Sequence, residues 1–225
     1  MNKDIAKRNA AEEAVKYVKN GMIVGLGTGS TAKIAVDLIG AKLNEDFQIV
    51  GMPTSINTKL QAERLGIKLI EIDEADTIDL AIDGADEVSP DMSLIKGLGG
   101  ALLREKKVEK KANELIIIVD EGKLVQKLGR GELPVEVSSN NYEEIGSKIE
   151  ELGCETSLRI EKDGTPFVTD NQNYIYHCTF ADGIEDPTSL DASLQSIEGV
   201  KDTGLFLDMA TKIIVGNDKG IQIIQ

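Results

Sequence analysis

Residues 22–43, MIVGLGTGSTAKIAVDLIGAKL, decide the fold of this chain. The stretch begins with a short apolar run at 22–26, which is typical of a buried β-strand. A glycine-rich loop follows, and residues 32–43 then repeat their apolar side chains with the period of a helix. A buried strand, a tight loop and a helix in this order predict the first half of a β–α–β unit.

The alternation of apolar strands and helices continues to residue 119. Before residue 22, the apolar residues Ala11, Ala14, Val15 and Val18 have the spacing of one face of an amphipathic helix. Asn20-Gly21 follows them and predicts the end of that helix. After it, strands are predicted at 49–52, 67–70, 78–82 and 115–119, and helices at 55–65 and 101–111. Continuous apolar strands that alternate with helices predict a parallel sheet covered on both faces.

The pattern changes after Gly129-Arg130-Gly131. Shorter strands are predicted at 134–137, 156–160 and 173–180, with helices at 142–152 and 189–197 and a turn at Asp163-Gly164. These elements favour a small α+β unit with an antiparallel sheet. Two further strands, at 212–215 and 221–224, are expected to rejoin the first domain.

Composition and charge exclude several classes of protein. The 225 residues contain 25 lysines and arginines against 39 aspartates and glutamates, which gives a formal net charge of −14. An acidic surface repels phosphate backbones and anionic lipid, so nucleic acid is not an expected partner. No stretch approaches the roughly 20 apolar residues of a membrane span, and residues 1–10 are polar. We expect a cytoplasmic protein without a membrane partner.

Histidine and cysteine are scarce, which narrows the possible chemistry. His177 is the only histidine, so sites with several histidine ligands are excluded. It lies in a predicted strand, where a structural role is expected. Cys154 and Cys178 form no CxxC pair and are expected to be reduced, buried thiols. Carboxylates and lysines must therefore carry any proton transfer.

The glycine-rich loop at 25–31 is a candidate anion site. It follows a predicted strand and opens a predicted helix, so free backbone N–H groups, hydroxyls and the positive end of a helix dipole meet there. Its spacing matches neither a Walker loop nor a GxGxxG dinucleotide fingerprint. Phosphate binding and a simple tight turn, with Ser30 or Thr31 as the helix cap, are both compatible with this pattern.

The segment 83–87, DGADE, follows the strand predicted at 78–82, at the edge where open α/β sheets bind ligands. Its carboxylates are expected to face a site. Three other interpretations are open: Asp83 forms a turn, Asp86 caps a helix, or the carboxylates hold Mg²⁺ together with a substrate phosphate.

Two further segments carry candidate residues. The segment 96–106, KGLGGALLREK, supplies a lysine, a flexible loop and Glu105 on a helix, although a solvated surface charge would give the same spacing. Lys123 follows the strand predicted at 115–119, and a surface lysine is its alternative. Because the anion loop, the aspartates and Lys123 each follow a predicted parallel strand, all should lie on one edge of the sheet.

Taken together, these motifs resemble those of ribose-5-phosphate isomerase, type A. The resemblance covers nearly the whole chain and is carried by GLGTGSTA at 25–32, DGADE at 83–87, KGLGGALLREK at 96–106, VDEGK at 119–123, LPVEV at 133–137 and GLF at 204–206. It implies an α/β fold in which a Rossmann-like parallel-sheet domain, 1–130 plus 206–225, carries an inserted α+β domain of the ferredoxin-like kind at 131–205.

The family interconverts ribose 5-phosphate and ribulose 5-phosphate in the pentose phosphate pathway, as a homodimer or homotetramer, without a metal or organic cofactor. The resemblance implies that Glu105 is the proton acceptor, with Asp83 and Lys96 as further catalytic residues. The implied substrate-binding residues are Thr28, Gly29, Ser30, Thr31, Asp83, Gly84, Ala85, Asp86, Lys96, Gly97, Leu98, Gly99 and Lys123, with Lys7 as an additional phosphate contact.

Two positions depart from the family pattern. Leu98 stands where many members have glycine, and His177 stands where an acidic residue is common.

Two other functions are compatible with the residues. A sugar-phosphate sensor on this fold would bind its ligand without turnover, but the chain offers no basic arm for binding DNA. An acyl or CoA transferase would instead use a glutamate as nucleophile.

Overall fold

The computed structural model describes residues 2–225. In chain order, the α-helices are α1 Lys3–Ala14, α2 Ser30–Lys42, α3 Ile56–Arg64, α4 Leu102–Glu109, α5 Tyr142–Glu150 and α6 Pro187–Ser196. The strands are β1 Ile23–Leu26, β2 Val50–Pro53, β3 Lys68–Leu69, β4 Ile78–Asp83, β5 Glu87–Val88, β6 Leu94–Ile95, β7 Ala112–Asp120, β8 Leu133–Val137, β9 Glu155–Leu158, β10 Tyr174–Thr179, β11 Val200–Thr203, β12 Leu205–Phe206, β13 Lys212–Asn217 and β14 Gly220–Ile224.

A seven-stranded sheet confirms the predicted α/β fold class. Its strand order is β14-β13-β7-β4-β1-β2-β3, and every pair is parallel except β13 with β14. The strands in the middle have apolar, buried segments: Ile116, Ile117 and Ile118 of β7 are fully buried. This pattern is what helices on both faces of a parallel sheet require. The predicted return of the tail is confirmed, since β13 pairs with β7.

The first helix begins earlier than the sequence pattern indicates. Helix α1 starts at Lys3 because the side chain of Asn2 accepts hydrogen bonds from the backbone N–H groups of Asp4 and Ile5. The α-helix ends at Ala14, and the expected continuation through Val15 is a short 3₁₀ turn. The stripe is nevertheless buried against the sheet, as predicted.

A smaller set of elements forms two antiparallel sheets. One has four strands in the order β11-β8-β10-β9, and the other has three in the order β12-β6-β5. Helices α5 and α6 contribute Ile145, Ile149 and Leu194 to a core with Leu133 and Cys178 of the four-stranded sheet. The predicted antiparallel α+β arrangement is present. Both cysteines are buried and reduced, as expected.

Contacts group the described chain into two units. The first contains the chain up to Ala85, Arg104–Leu124 and Met209–Gln225, and the second contains Asp86–Leu103 and Val125–Asp208. The sequence instead predicts a first domain of 1–130 plus 206–225, which includes 125–130, 206–208 and, as the longest difference, 86–103. That segment forms β5 and β6, which pair with each other, while β6 also pairs with β12. The division into independently folding domains stays a prediction.

In residues 2–225, no helix combines the length and the apolar character that crossing a membrane would require.

Candidate active site

Three neighbouring strands of the parallel sheet end at one edge, as the sequence predicts. Strand β4 lies between β1 and β7. In the register, Leu26 is opposite Ile82, and Asp83 is opposite Ile117. The glycine-rich loop, the 83–85 segment and the turn that contains Lys123 therefore all follow the carboxyl ends of adjacent strands.

The loop after β1 lies close against the end of β4. The backbone N–H of Gly27 donates to the carbonyl of Ile82 at 3.0 Å. A Cβ at residue 27 would be only 2.3 Å from Cγ and Oδ1 of Asp83. Glycine is thus required at position 27 by close approach to a carboxylate rather than by its backbone angles.

The start of α2 has the features of an anion site. The helix begins at Ser30, and Gly29 before it provides no side-chain cap. A Cβ at Gly29 would meet no atom within 4 Å, so the space in front of the helix is open. The first-turn N–H groups lack helical acceptors, and Nζ of Lys7 lies 2.9 Å from Oγ of Ser30. Backbone donors and a cation together favour a bound phosphate.

Thr28 is oriented by hydroxyl groups that the sequence analysis missed. Its Oγ1 donates to Oγ of Ser55 at 2.9 Å and lies 2.7 Å from Oγ1 of Thr54. Thr58 completes the group, since its hydroxyl donates to the carbonyl of Gly27 at 2.9 Å. The signal was present in the sequence: three hydroxyl residues follow the strand next to β1, at the same edge of the sheet.

Asp83 connects the glycine-rich loop to the end of β4. Its side chain is 1% exposed, and Oδ1 accepts from the N–H groups of Thr28 at 2.9 Å and Gly84 at 2.7 Å. Asp83 is the last residue of strand β4 and residues 84–85 form no turn, so the local turn considered as an alternative is not observed. The same carboxylate holds the adjacent loop in position.

Helix α4 brings two more buried carboxylates to this edge. Glu105 and Glu109 are each 3% exposed, so the alternative in which Glu105 is a solvated surface charge is wrong. Glu105, Glu109 and Asp83 offer carboxylate oxygens that lie within 4.8 Å of one another. These three residues could also hold a divalent cation. Glu109 was not identified from the sequence, although it lies one helical turn after Glu105.

Lys123 lies in a 3₁₀ turn, Glu121–Lys123, directly after β7. The turn is capped by Asp120, whose Oδ1 accepts from the N–H of Gly122 at 3.0 Å. The lysine is partly buried, unlike a typical surface lysine. Its role in substrate binding stays a prediction.

The segment 86–100 belongs to the second unit and consists of the β5–β6 pair and the loop 96–100. Oδ2 of Asp86 accepts from the N–H of Leu98 at 3.0 Å. The interpretation of Asp86 as a helix cap is wrong, because strand β5 follows it. Lys96 is 2% exposed, with Nζ 5.3 Å from the ring centroid of Phe206. The backbone N–H of Lys96 donates to the carbonyl of Gly204 at 2.9 Å, which connects the start of the loop to the residue before β12.

His177 has the structural position that the sequence predicts. It lies in β10, and its Nδ1 is 3.0 Å from a carboxylate oxygen of Glu132. Burial lowers the pKa of His177 below its usual value, although Glu132 opposes the shift. A neutral ring within a sheet fits a packing role.

Comparison with known proteins then decides the family. The sequence profile of ribose 5-phosphate isomerase A (phosphoriboisomerase A) matches residues 50–220. The chain belongs to the ribose 5-phosphate isomerase A family. Ribose-5-phosphate isomerase A of Bacillus mycoides (strain KBAB4) is 47% identical over 216 residues, which cover 96% of this chain and 97% of the relative.

Solved structures of ribose 5-phosphate isomerases agree with this assignment. The ribose 5-phosphate isomerase A of Methanocaldococcus jannaschii is 38% identical with a TM-score of 0.94, and the match covers 99% of each chain. A D-ribose-5-phosphate isomerase solved in complex with phospho-erythronic acid is 39% identical with a TM-score of 0.96, and both chains are covered completely.

Proposed function

We propose that this chain interconverts D-ribose 5-phosphate and D-ribulose 5-phosphate, an aldose–ketose isomerisation of the pentose phosphate pathway. The observation that carries the proposal is the buried group of Asp83, Glu105 and Glu109, which lies within one unit together with the anion loop at 28–31. The structural relative that binds phospho-erythronic acid supports a sugar-phosphate ligand.

Glu105 is the proposed base. The reaction moves a proton between C2 and C1 through an enediolate, so one carboxylate can remove the proton and return it on the same face. Asp83 is less suited to this role because its Oδ1 already accepts two backbone N–H groups. Its proposed role is to orient the sugar and to assist ring opening, which Asp86 could also perform.

The developing oxyanion needs a cation or a hydrogen-bond donor. Lys96 is proposed for this role and Lys123 for another contact with the substrate. Gly84, Ala85, Gly97, Leu98 and Gly99 are proposed to line the sugar. These assignments depend on the family resemblance, as do the expected homodimer or homotetramer and the expected cytoplasmic location.

Turnover of ribose 5-phosphate tests the proposal directly. We expect the purified chain to form ribulose 5-phosphate, followed by absorbance of the ketose, and to keep its full rate after incubation with EDTA. Loss of activity that Mg²⁺ restores would assign the three carboxylates to a metal instead. Binding of ribose 5-phosphate without turnover would favour the sugar-phosphate sensor. A covalent glutamyl adduct would favour the transferase.

Removing the two hydroxyl groups at the start of α2 should weaken substrate binding. For the double variant Ser30→Ala/Thr31→Ala, we expect KM to rise by about tenfold and kcat to change little, because hydrogen bonds to a charged group contribute equally before and during the reaction. Steady-state kinetics with ribose 5-phosphate measure both constants. Ser147→Ala, a hydroxyl in α5 that donates to the carbonyl of Glu143, is the matched control. An unchanged KM in the double variant would contradict the phosphate-loop assignment.

A further inference from the structure

The backbone of Leu98 is held from both sides by charged side chains. Its N–H donates to Asp86, and its carbonyl oxygen accepts from Nη1 of Arg159 at 2.9 Å. Arg159 is 61 residues away along the chain. The loop 96–100 is therefore fixed by a residue that belongs to none of the isomerase motifs in the sequence.

Arg159 is itself held in a defined orientation. Its guanidinium carbon lies over the ring of Phe167, 3.7 Å from the ring centroid, as in a cation–π contact. Its backbone N–H donates to the carbonyl of Ile175 at 2.9 Å, and its carbonyl accepts from the N–H of Phe167 at 2.9 Å. Burial lowers the pKa of Arg159 below its usual value, but an arginine stays charged at neutral pH.

Close packing shows that Arg159 and Phe167 contact the loop directly. Gly100 has φ +94°, and a Cβ at this position would lie 2.7 Å from the Phe167 ring and 3.1 Å from Nη1 of Arg159. The N–H of Gly100 donates to the carbonyl of Gly97 at 2.9 Å, which closes the loop on itself. Only glycine permits the loop to approach the stacked pair this closely.

The segment that carries Phe167 is anchored on β8. Glu136 is fully buried, and its Oε1 accepts from the side chains of Thr169 and Asn173, each at 2.9 Å. Burial raises the pKa of Glu136 above its usual value, whereas these donors favour its charged form. The segment that follows Phe167 is therefore fixed by hydrogen bonds to Glu136, and this limits the movement of the Arg159–Phe167 pair.

We propose that Arg159, oriented by Phe167, is a positioning residue that fixes the loop 96–100 for the substrate. The inference rests on the proposed function of that loop. A loop rich in glycine loses much conformational entropy when it is ordered. If Arg159 orders the loop before the substrate binds, this entropy loss does not reduce the free energy of substrate binding. Arg159 acts through the loop, and no contact with the substrate is required of it.

Three variants and one control test the proposal. Arg159→Met removes the charge and the donors, Arg159→Lys keeps the charge without the planar fork, and Phe167→Leu removes the stacking surface. The control is Lys162→Met, an exposed cation three residues from Arg159. For Arg159→Met we expect kcat/KM for ribose 5-phosphate to fall by about tenfold to one-hundredfold, as for one lost charged hydrogen bond. Arg159→Lys and Phe167→Leu should give intermediate losses, and the control should match wild type.

Amide hydrogen exchange gives a second measurement that does not depend on activity. We expect the amides of residues 97–100 to exchange about tenfold faster in Arg159→Met and to be unchanged in Lys162→Met. Wild-type kcat/KM and unchanged exchange in Arg159→Met would overturn the inference and leave the isomerase assignment intact. A lower Tm with full activity per folded molecule would also overturn it.

If Arg159→Met does not fold, Arg159→Lys and Phe167→Leu provide the same test. Wild-type protein without turnover would contradict the proposed function, and the exchange data would still test the support of the loop.

Discussion

Replacing Glu105 by glutamine will lower kcat for ribose 5-phosphate by about 10³-fold, the ordinary effect of losing a general base. Glutamine has the shape of glutamate and still accepts hydrogen bonds, but it cannot take up the proton from the sugar carbon. Because Glu105 is only 3% exposed, solvent has little access to replace it as the base. KM should stay within about threefold of wild type, since the lost interaction belongs to the transition state.

Two matched variants make this result specific. Glu114→Gln removes an exposed carboxylate from the amino-terminal part of β7 and should leave kcat unchanged. Glu109→Gln removes the neighbouring carboxylate on α4 and should reduce kcat less than Glu105→Gln does. A kcat within about threefold of wild type for folded Glu105→Gln is too small a loss for a general base and would contradict the assignment. A larger loss in Glu109→Gln would transfer the role of base to Glu109.

The change Gly27→Ala should lower kcat/KM for ribose 5-phosphate by about 100-fold. The new Cβ would lie 2.3 Å from the Asp83 carboxylate and 2.5 Å from the carbonyl oxygen of Ile82, so the backbone, the carboxylate or both must move. Asp83 holds the N–H of Thr28, so its movement also displaces the anion loop. A displacement of about 1 Å in a catalytic site can reduce the rate by this factor.

A control variant at a second crowded glycine, Gly40, distinguishes a loss of activity from a loss of stability. Gly40→Ala in α2 places a Cβ 2.8 Å from Cβ of Leu65 and so strains the same unit away from the loop. Overpacking of this kind costs about 1–3 kcal/mol in the free energy of unfolding. Thermal unfolding and steady-state kinetics of both variants should show a similar loss of Tm, with a large loss of kcat/KM in Gly27→Ala alone. Equal activity in the two variants would contradict the role of Gly27.

The order of the main elements was predictable because each long element carries its own hydrophobic period. Strands β1, β4 and β7 each contain a mainly apolar run, and the rule for parallel strands then placed Thr28, Asp83 and Lys123 at one edge of the sheet. Strands β5, β6 and β12 have two residues each, too few to display a period, and were missed, whereas β3 was predicted as part of the longer segment 67–70. Their pairing is determined by contacts across the chain.

The site was predictable where residues lie in one motif and not where they meet from distant segments. Glu105 was identified through family resemblance, but its burial depends on the direction in which α4 packs. The hydroxyls of Thr28 and Thr58 are 30 residues apart, and Arg159 lies 61 residues from Leu98. No local pattern encodes such neighbours, so only the folded chain reveals them.

The position of β7 between β4 and β13 affects how this protein can be synthesised. Strand β13 consists of residues 212–217, so the backbone groups along one side of β7 have no partner until that segment has left the ribosome. An apolar strand with an open edge can pair with other nascent chains. The emerging polypeptide therefore carries an aggregation hazard until the β13–β14 hairpin has been synthesised, and the benefit of chaperone binding should be greatest during that interval.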